Sequence, residues 1–330
     1  MQFSKNYKNK IFSITPPAFE ETALELFRYQ AAHTPVYKKF ITYLGVSPKE
    51  VRSVAEIPFI PIDFFKEHEV ICNQAPTEKI FESSGTTGMV PSKHYFSDVS
   101  FYLSNCERIF NQVYGDLKDY AVFALLPSYI ERGTSSLTAM AADFIGKSKC
   151  SYSGFYLNDY EELIIKIKEV LQKNKKVLLL GVTFALLELA EQFPTDLSSI
   201  IVMETGGMKG RREEMTRGEV HEVLMSAFNL KEIHSEYGMT ELNSQSYSTG
   251  GGVFQTVPWV RVQLRDLNDP LSCSVTRSSG AMNIIDLANV DSCAFIATQD
   301  LGRKVGENQF EILGRIDHSD IRGCNLLVVE

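Results

Sequence analysis

From residue 121 onward the chain alternates short, unbroken apolar runs with longer segments whose apolar residues recur every three or four positions. AVFALL (121–126), KVLLL (176–180), SIIVME (199–204) and KEIHS (231–235) read as strands. Between them SSLTAMAADFIG (135–146), NDYEELIIKIKEVLQKN (158–174, with Asn158 as cap), TFALLELAEQF (183–193, stopped by Pro194) and MTRGEVHEVLMSAF (215–228) read as helices. Strand and helix in turn predict a largely parallel sheet covered by helices. Ligands of such sheets gather at the carboxyl ends of the strands, and those ends carry ESSGTTG, PSYIERGTSS, GVT, ETGGMKG and SEYGMTE, all polar or glycine-rich.

The flanking regions differ. PPAFEETALELFRYQAAH (16–33) has helical spacing, and Ser47-Pro48-Lys49-Glu50 has the form of a capping box that starts a further helix. After Gly250 the helical period gives way to short β-rich segments, VFQTVPWVRVQLRD, AMNIIDL, CAFIATQDLGRKV and QFEILGRID. The expected class is therefore α/β: a helical segment over 1–75, a nucleotide-sized α/β body over 76–250 and a β-rich antiparallel subdomain over 251–330, in one contiguous unit.

Composition removes some alternatives. In 330 residues there are 33 Lys+Arg against 41 Asp+Glu, a net charge of −8, which argues against wrapping nucleic acid or lying on anionic lipid. The N-terminus MQFSKNYKNKIFSITPP lacks the apolar stretch of a signal peptide, and the longest apolar run (177–187) falls short of the roughly 20 residues of a membrane helix, so a cytoplasmic protein is expected. Six scattered cysteines with no CxxC pair indicate neither a zinc site nor a disulfide framework.

Chemistry concentrates in a few segments. Ser83 to Lys93, SSGTTGMVPSK, packs two glycines, five hydroxyls and a terminal lysine into eleven residues. Phosphate needs many short donors, which glycine backbone, hydroxyls and a lysine supply, though a plain Ser/Thr/Gly turn has the same composition. In Glu236-Tyr237-Gly238-Met239-Thr240-Glu241 a tyrosine can stack on a purine, a hydroxyl can meet phosphate and a carboxylate can hold Mg²⁺; the alternative is a helix starting at Met239. Glu204-Thr205-Gly206-Gly207 could wall a base with flat backbone or be a simple turn. Asp300, in Thr298-Gln299-Asp300, could accept from ribose hydroxyls or belong to a structural turn, and Arg315 with Asp317 could form a surface pair.

Taken in order, glycine/hydroxyl loop, GG turn, YGMTE, TQD and GRID, the chain from about Phe59 to Arg322 resembles the adenylate-forming superfamily. Within it, IPFIPIDFFKEHEV (57–70), LPSYIERGTSSL (126–137), METGGMKGRR (203–212), HSEYGMTELNSQ (234–245) and the ending GRIDHSDIRGCNLLV are similar to the acyl-protein synthetase branch of the bacterial luciferase fatty-acid reductase system. The resemblance implies that Ser84, Gly85, Thr86, Thr87, Gly88 and Lys93 cradle ATP phosphates and that Gly206, Gly207 and Tyr237 enclose adenine, with Gly238 beside them. It further implies that Thr240 touches the α-phosphate, Glu241 coordinates Mg²⁺, Asp300 binds ribose, Arg315 contacts the nucleotide and Asp317 occupies a hinge. Two departures stand out: Gln299 replaces the usual glycine of the ribose motif, and the sequence stops at Glu330, where the superfamily continues into a lid domain carrying a lysine.

The implied activity is ATP-dependent activation of a carboxylic acid, a fatty acid in the similar branch, as an acyl-adenylate, followed by transfer to a thiol. Cys324 beside Arg322 is the candidate acceptor, or else a small apolar residue of the strand GCNLLVV; an acceptor protein, a reductase or acyl carrier protein, is the expected partner. An acyl- or aryl-CoA ligase and a nucleotide-binding subunit without catalysis are the alternatives. His94 and His234 flank motifs and could orient substrate, but structural roles are the commoner use of such histidines.

Overall fold

The computed structural model describes residues 2–73, 75–84, 90–127, 133–157, 159–206, 215–267, 269, 271–272 and 278–316. It opens with helices α1 (Gln2–Lys10), α2 (Phe19–His33) and α3 (Pro35–Tyr43). On α2 the apolar residues Phe19, Ala23, Leu26 and Phe27 are buried, and Pro35, which fits the first position of a helix but not its interior, forces the chain to break and restart. The amide of Gln30, fully buried, donates to the carbonyls of Asn289 and Val290 and accepts from the N–H of Ala294, so α2 is stitched to a segment far along the chain.

The helix expected from Ser47 does not form: residues 48–50 make a turn closed by Glu50 N–H to Ser47 carbonyl at 2.9 Å. The capping carboxylate is supplied one turn later, where Glu56 accepts from Arg52 N–H and the Ser53 hydroxyl around a single 3-10 turn. The remaining elements of the first half are β1 (Ile60–Pro61), α4 (Phe64–Glu67), β2 (Lys79–Glu82), β3 (Lys93–Phe96) and α5 (Val99–Tyr114).

Then comes the alternation that the apolar runs predict: β4 (Tyr120–Leu125), α6 (Ser136–Lys147), β5 (Gly154–Phe155), α7 (Tyr160–Leu171), β6 (Lys176–Val182), α8 (Thr183–Gln192), β7 (Ile201–Thr205), α9 (Arg217–Phe228) and β8 (His234–Tyr237). Strands β5, β4, β6, β7 and β8 lie side by side in parallel. All six residues of β4 are buried, as a strand covered on both faces requires. Side-chain caps set the helix starts: Asp98 for α5, Ser135 for α6, Asp159 for α7, and a Thr216/Glu219 capping box for α9. Asp159 thus takes the capping role expected of Asn158, which lies outside the described residues.

Strands β9 (Ser246–Ser248), β10 (Val253–Gln255), β11 (Val260–Arg265), β12 (Ser279–Asp286), β13 (Phe295–Gly306) and β14 (Gln309–Arg315) are antiparallel and extend the same sheet. Among the described residues its order is β11-β12-β13-β14-β10-β9-β8-β7-β6-β4-β5, with β1 added in parallel to β13. The last strand, β14, therefore sits inside the sheet between β13 and β10. Strands β2 and β3 stand apart as a two-stranded hairpin. The buried carboxylate of Asp286 accepts from the N–H groups of Asn243, Ser244 and Ala288 and from the Ser244 hydroxyl, fixing the chain that leaves β8 against β12. Burial raises its pKa, and these four donors oppose the rise.

Candidate functional site

The glycine/hydroxyl segment is the connection of the β2–β3 hairpin. Glu82 pairs with Lys93, and beyond them Ser83 N–H donates to the Ser92 carbonyl and Ser92 N–H to the Ser83 hydroxyl, both at 2.9 Å. These bonds close the base of a loop whose tip, including Gly85, Thr86, Thr87 and Gly88, lies outside the described residues. Ser84 is partly exposed just above the closure. Lys93 is 45% exposed and its Nζ is 3.9 Å from Glu82, a loose surface pair that leaves the ammonium available to a ligand.

Strand β3 also carries this hairpin onto the Glu236–Glu241 segment. His94, fully buried, donates from Nδ1 to the carbonyl of Thr240 at 2.8 Å. Burial drives its pKa down to about 4, against hydrogen bonds with Thr240 and Asn289, so the ring is neutral at pH 7. The neighbouring Ser92 hydroxyl hydrogen-bonds the carboxyl of Glu241, and Asn289 donates to the Glu241 carbonyl at 2.8 Å. Glu241 is buried; burial raises its pKa, opposed by Ser92 and by the field of Arg315. Residues 240–241 form a turn, with Leu242 N–H donating to the Met239 carbonyl, and no helix starts at Met239.

The third component comes from β13 and β14. Asp300 and Arg315 are cross-strand partners, with Arg315 Nε 3.7 Å from Asp300 Oδ1, and the Tyr237 hydroxyl donates to Asp300 Oδ2 at 2.7 Å. Burial raises the Asp300 pKa, while the Tyr237 hydroxyl, Arg315 and Arg217 oppose it; burial and Asp300 together keep the phenol far above its ordinary value. The Tyr237 ring meets Phe254 and Phe310 edge-on, which fixes its plane. Asp300 lies within an extended strand, not a turn. Gln299, the departure from the expected glycine, donates from Nε2 to Asp63 Oδ2 at 2.7 Å and receives Ile316 N–H on its carbonyl, tying the end of β14 to the start of α4.

A fourth group lines the end of β7. Gly206 has φ +77°, a left-handed conformation that glycine adopts without strain, and its carbonyl accepts from the Thr183 hydroxyl. Glu204, buried, accepts from Thr183 and faces Arg217 Nε at 3.4 Å and His221 Nε2 at 3.6 Å. Although burial alone would raise its pKa, His221, Arg217 and Ser235 hold the carboxyl below its ordinary value. Arg217 also lies over the Phe254 ring and donates to the Ile312 carbonyl, so one guanidinium links β7, β10 and β14.

Of the residues singled out in the sequence, Tyr237, Asp300 and Arg315 come together, Thr240 and Glu241 meet the stem residues His94 and Ser92, Lys93 meets Glu82 on the stem itself, and Gly206 follows the end of β7. Gly207, Asp317 and Cys324 lie outside the described residues. His234 does not join them: it opens β8 and contacts the Tyr114 hydroxyl at 3.1 Å, at the opposite end of the strand. His94, weighted below the motif residues, proves to be the bond between two of them. Asn289 and Asp286 carry no motif at all; a buried Asp-x-x-Asn within an apolar stretch is the only trace they leave in the sequence.

No protein-family model and no curated protein matches the chain. Its fold, however, is that of the main body of adenylate-forming enzymes, a mixed α/β sheet covered by helices. O-succinylbenzoate coenzyme A synthetase from Bacillus subtilis, solved in complex with AMP, is similar with a TM-score of 0.52 and 17% identity, over 75% of this chain and 51% of that one. A long-chain-fatty-acid-CoA ligase from Archaeoglobus fulgidus gives 0.51 and 16% over 72% and 51%, and a luciferase-like enzyme from the mealworm Zophobas morio gives 0.50 and 17% over 83% and 62%. The chain thus spans about half the length of the two ligase structures it matches. Among the described residues no helix is long and apolar enough to cross a membrane.

Proposed function

We propose that the chain activates a carboxylic acid with ATP and passes the acyl group to a thiol. The observation that carries this reading is the junction of the hairpin stem, through Ser92 and His94, with Thr240 and Glu241 beside the Tyr237–Asp300–Arg315 set. A loop of hydroxyls and backbone donors, a lysine and an arginine suit phosphates, and an aspartate on a strand suits ribose hydroxyls. In the reaction a carboxylate oxygen bonds to the α-phosphorus as the bond to pyrophosphate breaks. A thiolate then attacks the acyl carbonyl and AMP leaves. Lys93 and Arg315 neutralise charge as it builds on the phosphates.

Glu241 fits the role of Mg²⁺ holder. Burial raises the pKa of its carboxyl against Ser92 and the field of Arg315, and Mg²⁺ bound to a nucleotide takes one or two protein carboxylates beside phosphate oxygens. When bound, the ion would add positive charge at the phosphates. For the thiol, burial pushes Cys72 and Cys106 up to about 12 and Cys293 higher still, which removes them as nucleophiles. Cys150 precedes β5, at the end of the sheet away from the site. Cys324 or the thiol of a partner protein is the acceptor proposed.

Acid-dependent ATP–pyrophosphate exchange tests the first half, and intact-mass analysis before and after hydroxylamine tests the second. An acyl-sized increase held by the wild type and not by Cys324→Ser supports transfer to that cysteine; equal labelling of both, or CoA thioester release without labelling, discards it. Absence of exchange with any of a panel of fatty, aromatic and substituted acids discards acid activation.

A further inference from the structure

Beneath the adenylate-type turn the sheet presents a row of polar side chains to α5. Thr205, Glu236 and Tyr247 are register partners across β7, β8 and β9, so their side chains share one face, and Gln245, two residues before Tyr247, lies on that face too. From α5, Cys106 closes over them: Gln245 Nε2 donates to its Sγ at 3.0 Å, and the Tyr247 ring packs edge-on against Phe110 and Tyr114. The row begins one residue before Tyr237.

Its hydrogen bonding is incomplete. Gln245 is 5% exposed and Tyr247 2%, yet Gln245 Oε1 and the Tyr247 hydroxyl have no hydrogen-bond partner among the described residues. Asn105 Oδ1 on α5 is likewise buried and unpartnered. Glu236 accepts from Thr205 through Oε2, and its Oε1 lies over Gly238, where a Cβ would stand 2.5 Å away. Burial pushes the Glu236 carboxyl up to about 7, against the bond from Thr205 and with the help of Glu204. Buried polar atoms are nearly always satisfied, because each one left open has given up its hydrogen bonds to water without replacement. A purely structural core would fill these positions with apolar side chains.

Resting on the acid-activation reading above, we propose that Glu236, Gln245 and Tyr247 recognise the non-reacting end of the acid, and that this acid bears a hydrogen-bond-donating substituent, a hydroxyl or amino group, instead of a plain alkyl chain. Gln245 Oε1 accepts, and the Tyr247 hydroxyl can accept as well as donate, so the two suit a group that brings a donor. They sit on the strands that lead into and out of the Tyr237–Glu241 turn, where the acid's carboxylate must meet the nucleotide. A site built to bond a substrate hydroxyl rejects the analogue lacking it, because its own buried groups are then left unpaired.

The test uses the full chain and matched acids: hexanoic, 6-hydroxyhexanoic and 6-aminohexanoic, and 3-phenylpropanoic with its 4-hydroxy derivative. Binding is read by calorimetry and activation separately by pyrophosphate exchange. The expected result is a preference of about tenfold or more for the substituted member of at least one pair, reduced towards unity in Gln245→Leu and in the milder Tyr247→Phe, through weaker use of the substituted acid and better use of the alkyl parent. Equal or better use of the alkyl parents by the wild type overturns the proposal, as does a preference that survives in both variants, which would leave these oxygens to buried water. Discrimination in binding without exchange upholds this subsite and removes the activation reading instead. No binding of any acid removes both.

Discussion

The Nδ1 of His94 lies 2.8 Å from the carbonyl oxygen of Thr240, joining residues 146 apart in sequence. The bond fixes the hairpin stem to the turn that carries Thr240 and Glu241, so His94 is a positioning residue that touches no substrate. His94→Ala is expected to lower kcat/KM for ATP in pyrophosphate exchange about tenfold through its effect on loop placement. The titration of His94 gives an independent readout. Its folded pKa of about 4 lies below the ordinary 6.5, so the unfolded chain binds more protons between those values. The stability that neutral His94 contributes is therefore complete above pH 6.5 and is lost as pH falls towards 4, on the order of 3 kcal/mol in all. Denaturant titrations of wild type and His94→Gln across that range should show a steeper pH slope in the wild type; parallel slopes would contradict a buried neutral ring.

The Tyr237 hydroxyl and Asp300 form a second testable pair. Asp300→Asn should weaken ATP binding by about tenfold or more, because a neutral amide presents one fewer acceptor to a ribose diol. Tyr237→Phe should cost less, since it frees the carboxylate without removing it. A double-mutant cycle on ATP affinity should give a coupling of about 1 kcal/mol; additivity would show that Tyr237 does not hold Asp300 in its binding position.

Among the described residues the Lys93 ammonium is held only by a 3.9 Å contact with Glu82 at the surface. Lys93→Ala should therefore reduce exchange by 10- to 100-fold at roughly unchanged thermal midpoint, and Glu82→Gln should change neither by much. A Lys93→Ala variant with wild-type exchange would remove the lysine from the phosphate site.

Gly181, in β6, owes its identity to packing. A Cβ there would stand 2.6 Å from Leu186 Cγ at the first turn of α8, and a branch carbon in a packed core has nowhere to retreat. Gly181→Ala should destabilise by about 1–3 kcal/mol in urea unfolding, and Leu186→Ala in the same chain should recover part of the loss by making room. An unchanged midpoint in Gly181→Ala would mean that α8 shifts freely.

The sequence made β4, β6, β7 and the helices between them legible because a strand buried on both faces is written as an unbroken apolar run, and its covering helix as a three- to four-residue period. It misplaced the Ser47 helix because a capping box states only how a helix can begin; no apolar stripe follows to sustain one. The order of motifs singled out Tyr237, Asp300 and Arg315, which lie together, and Thr240, which meets His94. Nothing local announced that the SSGTTG segment closes an antiparallel hairpin, that Gln299 reaches Asp63, or that His94 binds the Thr240 carbonyl, since each depends on pairing across long separations. The open oxygens of Gln245 and Tyr247 were equally hidden, because in sequence they are ordinary polar residues of the stretch NSQSY.

The position of β14 bears on how the protein is made. Strand β10 emerges from the ribosome more than fifty residues before its neighbour β14, and β13 also waits for β14 along one edge. Until Gln309–Arg315 has been synthesised, both strands present unpaired backbone, which invites pairing with other chains. The nascent protein would thus carry two adhesive edges until β14 emerges, and Asp300 would have no Arg315 beside it. Chaperone demand should accordingly persist until β14 emerges, and a ribosome stalled before residue 309 should display a chain that neither closes its sheet nor retains nucleotide.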